Sequence, residues 1–296
     1  MLRFLVLFAF FSLRTAEADD FTLEDARKAS VESSKQPKSA WCRGEFRVSR
    51  QDEGDPAPTI WTEGTFKLSY KADKLLLDMK FSTRKVRVVQ VAPDGTESEP
   101  KTVNAPPERI VVLDDGDKVY MVTFTPQINP SGCRVELLSN VRSALGFAEF
   151  PLRDPIHPHL GILDIDKLIK NLGADAIKWS HHKGTIYQGT FQAKNSMRVH
   201  SVFHVDLASD KQLTADFVFN STSDEPATSH KLKWAKKNDT WFVQQINATR
   251  RYPDRPLQME EVVFTHYKPG ASLPDNEFDI SSIGIPPRTR TIDRRR

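Results

Sequence analysis

Residues 64–81, GTFKLSYKADKLLLDMKF, decide the fold class. Phe66, Leu68 and Tyr70 alternate with Lys67 and Ser69. After a polar turn at 71–74, Leu75, Leu77, Met79 and Phe81 alternate with Asp78 and Lys80. Period-two alternation on both sides of a short turn predicts a half-buried antiparallel hairpin. Similar strands recur almost to the end of the chain. They are expected at 39–49, 59–70, 74–81, 86–91, 109–113, 118–125 and 134–139. A second series is expected at 176–182, 185–193, 197–207, 212–220, 229–236, 240–248 and 257–267. Asp115-Gly116 is the turn pair of one hairpin. Polar connections at 208–211 and 236–239 join later ones.

Many strands with short turns imply one antiparallel sheet that follows chain order. A sheet this large must curl or split. The expected fold class is therefore mainly β (α+β): a single large curved antiparallel sheet, a half-barrel. An N-terminal helix and a mid-chain helix are expected on its concave side. The first helix is 24–35, EDARKASVESSK, with Thr22 as cap, Glu24 and Asp25 in the first turn and Pro37 as its end. The second is 162–172, ILDIDKLIKNL, with an apolar stripe and Gly173 as its stop. The Gly- and Pro-containing stretch 141–161 is expected to be irregular, and 91–107 to be a long surface loop. No sequence repeat supports a propeller or solenoid.

Residues 1–18 read as a secretory signal. Arg3 is followed by the apolar run 5–13 and by Ala16-Glu17-Ala18, an A-x-A cleavage pattern. The run is roughly half the ~20 residues that span a bilayer. The mature chain is expected from Asp19 as an exported protein, periplasmic or secreted. One half-barrel domain, 19–268, would precede an extended tail, 269–296. That tail carries Phe278, Ile280 and Ile283 and ends in RTRTIDRRR. The net charge is +3, and Arg288, Arg290, Arg294, Arg295 and Arg296 concentrate the excess there. The tail reads as solvated, with an anionic membrane surface as a lesser partner. It is too short and too poor in aromatics to indicate nucleic acid.

Cys42 and Cys133 are the only cysteines. Both fall on apolar positions of expected strands. In an oxidising compartment they form a disulfide, or else pack as two separate buried thiols. They cannot form a C-x-x-C redox motif.

The chemical motifs are weak. His157 and His159 flank Pro158 near Asp154, Asp164 and Asp166, but no third nitrogen or sulfur ligand lies nearby. His181 and His182 point to opposite faces of a strand. His200 and His204 are about 13 Å apart on a strand at ~3.3 Å per residue, too far for one metal. The acidic pairs Asp114-Asp115 and Glu260-Glu261 diverge. No nucleophile elbow, Walker loop or dinucleotide fingerprint occurs. Neither a catalytic residue, a metal nor a cofactor is therefore expected. Asn220, Asn238 and Asn247 begin glycosylation acceptor triplets that matter only in a eukaryotic secretory pathway. The five tryptophans, Trp41, Trp61, Trp179, Trp234 and Trp241, read mostly as core.

Two short helices cannot cover the inner face of so large a sheet, so a greasy groove should remain. Phe46, Phe66, Leu68, Tyr70, Leu77, Met79 and Phe217 are its expected lining.

Four features in order carry a resemblance. They are the leader with one helix, the strand pair GTFKLSYKADKL, the hairpin RIVVLDDGDKVYMVTF, and the closing strands DTWFVQQINATRRY…EEVVFTHYKPGASLPDNEFDI. Together they resemble the periplasmic lipoprotein-carrier family, the LolA/LolB-like half-barrel, across most of the mature chain. Lys71-Ala72 departs from the family's basic residue followed by Pro. The resemblance implies a non-catalytic exported carrier whose partner is a lipid, acylated peptide, lipoprotein or other apolar ligand. It also implies a conspicuous basic residue beside the ligand, for which Arg43 and Lys67 are candidates. The alternatives are an envelope-sensing or scaffold protein that binds a protein partner, and a secreted hydrolase around His157 and His159.

Overall fold

The structure, a computed structural model, describes residues 22–25, 27–28 and 37–295, except 90–91, 97, 107, 126–131, 159–169, 171–172, 193–199, 207–211, 215–227 and 252–254. The strands are β1 (Ser39–Gln51), β2 (Thr59–Lys71), β3 (Lys74–Val88), β4 (Lys101–Asn104), β5 (Arg109–Asp114), β6 (Val119–Phe124) and β7 (Cys133–Leu138). They continue with β8 (Ile177–Lys183), β9 (Ile186–Gln192), β10 (His200–Asp206), β11 (Gln212–Thr214), β12 (Thr228–Lys237), β13 (Thr240–Arg250), β14 (Leu257–Pro269) and β15 (Thr291–Asp293).

The quoted hairpin is β2–β3, with Leu68 opposite Leu77 and Phe66 opposite Met79. Eleven strands form one curved, open sheet in the order β12-β13-β14-β1-β2-β3-β5-β6-β7-β15, with β4 alongside β3. The strands from β1 to β7 follow chain order as expected, and β14 returns to pair with β1. One edge makes the sheet mixed, because β15 runs parallel to β7. β3 is a single long strand where two were expected. A register shift opposite Glu63 and Gly64 lets it continue past Phe81.

β8 to β11 form a separate four-stranded sheet. The edge of β7 is already taken by β15, so these strands pair with one another. Only 212–214 of the expected strand 212–220 is described.

The N-terminal helix is helical at 23–25 and 27–28. Thr22 Oγ1 accepts from Asp25 N (3.2 Å) while Asp25 Oδ2 accepts from Thr22 N (3.0 Å), a reciprocal cap. Of the expected helix 162–172 only Lys170 is described, and it is helical. The leader 1–18 lies outside the described residues.

Stretch 141–161 is not irregular throughout. Val141–Phe147 is a helix, capped by Asn140, whose Oδ1 accepts from Ser143 N at 2.8 Å. Gly146 and the lack of an acidic first turn hide it in the sequence. Ala144 and Leu145 seat it on the sheet.

Each face of the sheet has its own core. Ile110, Val112, Met121 and Leu138 lie on the helix side with Leu77 and Met79. Val111, Leu113, Val122 and Val135 lie on the other side. The continuous apolar run IVVL of β5 thus marks a strand buried on both faces.

The second face is covered by the C-terminal segment. Phe278 and Ile283, on short 3-10 turns, pack there with Leu273, Ile280 and Ile285. Ser69 Oγ donates to Glu277 Oε1 (2.6 Å), and Lys71 Nζ donates to Asp275 Oδ1 (2.8 Å). Arg294 pairs with the buried Glu136, and Arg295 with Asp293. The tail is therefore docked rather than solvated, because its apolar side chains have a sheet face to cover.

Replacing Phe278 by Ala should cost about 3–5 kcal/mol, the usual penalty for deleting a buried ring. The midpoint of urea unfolding measures it.

Candidate functional site

The helix face of the large sheet is an aromatic cradle. Across β1 and β2, Gly44 lies opposite Phe66 and Phe46 opposite Gly64. The two rings lie over the two glycines. A Cβ on Gly44 would stand 2.3 Å from the Phe66 ring, and one on Gly64 3.0 Å from that of Phe46. Small residues here let large rings lie close to the backbone.

Phe150 closes the cradle. It meets Phe46 and Phe66 edge-on, each with ring centroids 5.4 Å apart, while Phe81 and Phe264 extend the cluster. Edge-to-face pairs of this kind add about 0.5–1.5 kcal/mol beyond burial.

The helix end places that ring. Phe150 N donates to Leu145 O at 3.0 Å and Ala148 N to Ala144 O at 2.9 Å, and Glu149 sits between with φ 56°. This is a left-handed helix stop of the type that favours Gly, with apolar residues meeting across it. A glutamate in that conformation is strained by roughly 1–2 kcal/mol. It is held where its carboxylate reaches Arg84 Nε, 3.6 Å away.

The covering chain continues through Leu152, buried in the core, to Pro155, Ile156 and Pro158. These last three, with Cys42, Leu68, Tyr70, Phe242, Val243, Phe264 and Tyr267, enclose a cavity of about 20 Å³. The Tyr70 and Tyr267 hydroxyls are 3.4 Å apart. Burial raises both phenols, that of Tyr267 to about 12. Asp154 ties down the covering chain by accepting from Ile156 N (3.0 Å) and His157 N (2.8 Å). Burial opposes its charge, but bonds from His157 and Ile156 outweigh that and hold the carboxyl below the usual range.

Phe46, Phe66, Leu68, Tyr70, Leu77 and Met79 thus share one face, as the alternation requires. They do not line an open groove, because the helix and Phe150 fill it. Phe217 lies outside the described residues. Arg43 stacks on Trp41 at 4.7 Å, and Lys67 is exposed. Both alternate with the core residues and so miss the apolar face. None of the five tryptophans is fully buried.

A disulfide between Cys42 and Cys133 is ruled out in this fold. Both are free, and they belong to the cores on opposite faces of the sheet. Burial raises the Cys42 thiol far above its ordinary range, so it packs as an inert hydrophobe.

His157 meets Asp154 at 3.5 Å, while His159 lies outside the described residues. The His182 and His204 rings approach to 4.5 Å. Among the described residues no group of three His, Cys, Asp or Glu could hold a metal, and no helix is long and apolar enough to cross a membrane.

A charged row borders the cradle. Pairing brings His230, Ala248, Glu260, Val48, Thr62 and Arg84 into line across β12, β13, β14, β1, β2 and β3. Arg250 pairs with the buried Glu260 at 3.0 Å. Arg84 pairs with Glu108 and lies 5.4 Å over the Phe81 ring. Arg50 stacks 3.9 Å over Trp61, with Arg87 6.0 Å from the same ring.

Sequence reading missed Arg84 for a geometric reason. Phe81 pairs with Gly64 and Arg84 with Thr62, so the bulge puts 81 and 84 on one face, where strict alternation would separate them.

Solved structures similar to the chain include two that span most of it. One is a putative outer membrane lipoprotein-sorting protein domain from Vibrio parahaemolyticus: 11% identity, 88% of this chain, 97% of that chain, TM-score 0.41. The other is a LolA superfamily protein from Nitrosomonas europaea: 8% identity, 87% of this chain, 98% of that chain, TM-score 0.42. The second carries the same superfamily name as the resemblance read from the sequence. At these identities neither says what this chain binds. No family model and no curated protein matches.

His230 supplies a pH test of the charged row. Burial, then Arg250 and Arg153, lower its pKa from 6.5 to about 4. The unfolded chain therefore takes up a proton that the folded one refuses. Stability should fall as pH drops from 6.5 towards 4 and be unaffected by this group above that window. Urea midpoints at pH 7.5 and 5 should differ less in His230→Gln than in the wild type.

Proposed function

We propose that the protein is a non-catalytic exported carrier or binding protein for an apolar ligand, a lipid or an acyl chain. The observation that supports this best is Phe150 in the phenylalanine cradle. A broad apolar sheet face is closed by a separate chain segment, residues 140–158, and not by a second sheet. Such a segment can leave while the ladder of hydrogen bonds beneath it stays intact.

The cavity of about 20 Å³ holds little more than one water molecule. An acyl chain therefore enters only by taking the place of Phe150, Leu152 and Ile156. The exchange is close to balanced, since apolar ligand surface replaces apolar protein surface at about 25 cal/mol per Å² on either side. The strained Glu149 backbone favours release. Tyr70 and Tyr267 at the far end offer hydroxyls to a carbonyl or ester oxygen.

The hydrolase reading has only the His157–Asp154 contact behind it. The exposed Val88, Val89 and Val103 on the β3–β4 hairpin favour a protein-partner surface as the second reading.

Titration of the mature protein with a fluorescent fatty acid should show saturable uptake. Phe150→Ala should take up the same probe more tightly while unfolding at lower urea. Failure of both proteins to bind would sink the carrier reading.

A further inference from the structure

The carrier reading leaves the polar end of the ligand open, and the rim of the cradle bears on it. Arg84 stands at that rim, with its side chain 16% exposed. Its Nη1 is taken by Glu108. Its Nε is buried, and among the described residues no acceptor lies within hydrogen-bond distance. Glu149 Oε2 lies 3.6 Å from it, an ion pair too long to be a hydrogen bond.

The Glu149 backbone is held at the helix stop with φ 56°, and Phe150 is anchored next to it. The dipeptide Glu149-Phe150 therefore places a carboxylate on a rim arginine and an apolar ring in the cradle beside it. That is the outline of an amphiphile with an anionic head. Arg50 and Arg87, gathered around Trp61, add positive charge to the same rim. Arg50 also feels the charges of both Glu149 and Arg87. With Glu149 withdrawn, Arg84 keeps Glu108, while Arg50 loses the attraction of the Glu149 charge.

We propose that the site takes an anionic amphiphile. Its carboxylate or phosphate displaces Glu149 from Arg84 and accepts from Nε, while its apolar tail displaces Phe150. This rests on the carrier reading and names the head group that site selects. A free head group has no helix stop to restrain it and can approach the planar guanidinium at full hydrogen-bond distance. The plug is thus a built-in competitor, and its removal is coupled to recognition of charge.

The test is direct titration of the mature protein with a fluorescent fatty acid and with its methyl ester, at low ionic strength. The acid is expected to bind about tenfold more tightly, the worth of one charge-assisted hydrogen bond. Arg84→Gln should abolish that preference. Glu149→Gln, which removes the competing carboxylate, should tighten acid binding. Equal binding of acid and ester by the wild type would overturn the head-group assignment while the carrier reading stood. Binding of neither would overturn both. Circular dichroism checks each variant's fold; should Arg84→Gln unfold, unchanged acid affinity in Glu149→Gln overturns the displacement by itself. Hexadecyl phosphate and palmitate as competitors separate the two sources of the anion. Displacement by either supports the assignment, and displacement by neither overturns it.

Discussion

Phe150, set edge-on between Phe46 and Phe66, is the contact on which the helix face depends. An open sheet with apolar side chains on both faces is unstable in water until something covers each face. On one side the C-terminal segment with Phe278 and Ile283 does so. On the other, among the described residues, the helix Val141–Phe147 and the chain after it do so, and they send one ring into the centre. The glycines opposite the two phenylalanines leave the space that makes this possible.

The two covers differ in how they are fastened. The C-terminal cover is stitched by Ser69–Glu277 and Lys71–Asp275, by a parallel strand on β7 and by Arg294 on the buried Glu136. The helix-side cover has its apolar contacts, the Asp154 turn and one long ion pair from a strained glutamate. In the proposed carrier the second cover is the one that exchanges, because among the described residues releasing it breaks few hydrogen bonds and relieves backbone strain.

Much of this fold was legible in the sequence. Alternation from Phe66 to Tyr70 and from Leu75 to Phe81 gave both the hairpin and its inward-facing side chains, since period two is a direct consequence of the pleat. What the alternation could not carry was what lies on top. The helix Val141–Phe147 has a glycine inside and no acidic first turn, so local propensity argued against it until tertiary contacts supplied the stabilisation. The same holds for Arg84. A one-residue bulge moved it to the apolar face, and bulges leave no mark in a hydrophobic pattern. The cysteines show the converse. Each read correctly as facing apolar surroundings, but two faces exist, and only the three-dimensional sheet assigns Cys42 to one and Cys133 to the other.

The central claim is that residues 140–158 are an exchangeable cover over a persistent sheet face. Hydrogen–deuterium exchange with and without saturating fatty acid tests it most directly. The account predicts faster exchange at Ala148, Glu149 and Phe150 when the ligand is bound, with β1, β2 and β14 as protected as before or more so. Unchanged or increased protection of the cover, with ligand-dependent changes on the Phe278 face instead, would contradict it.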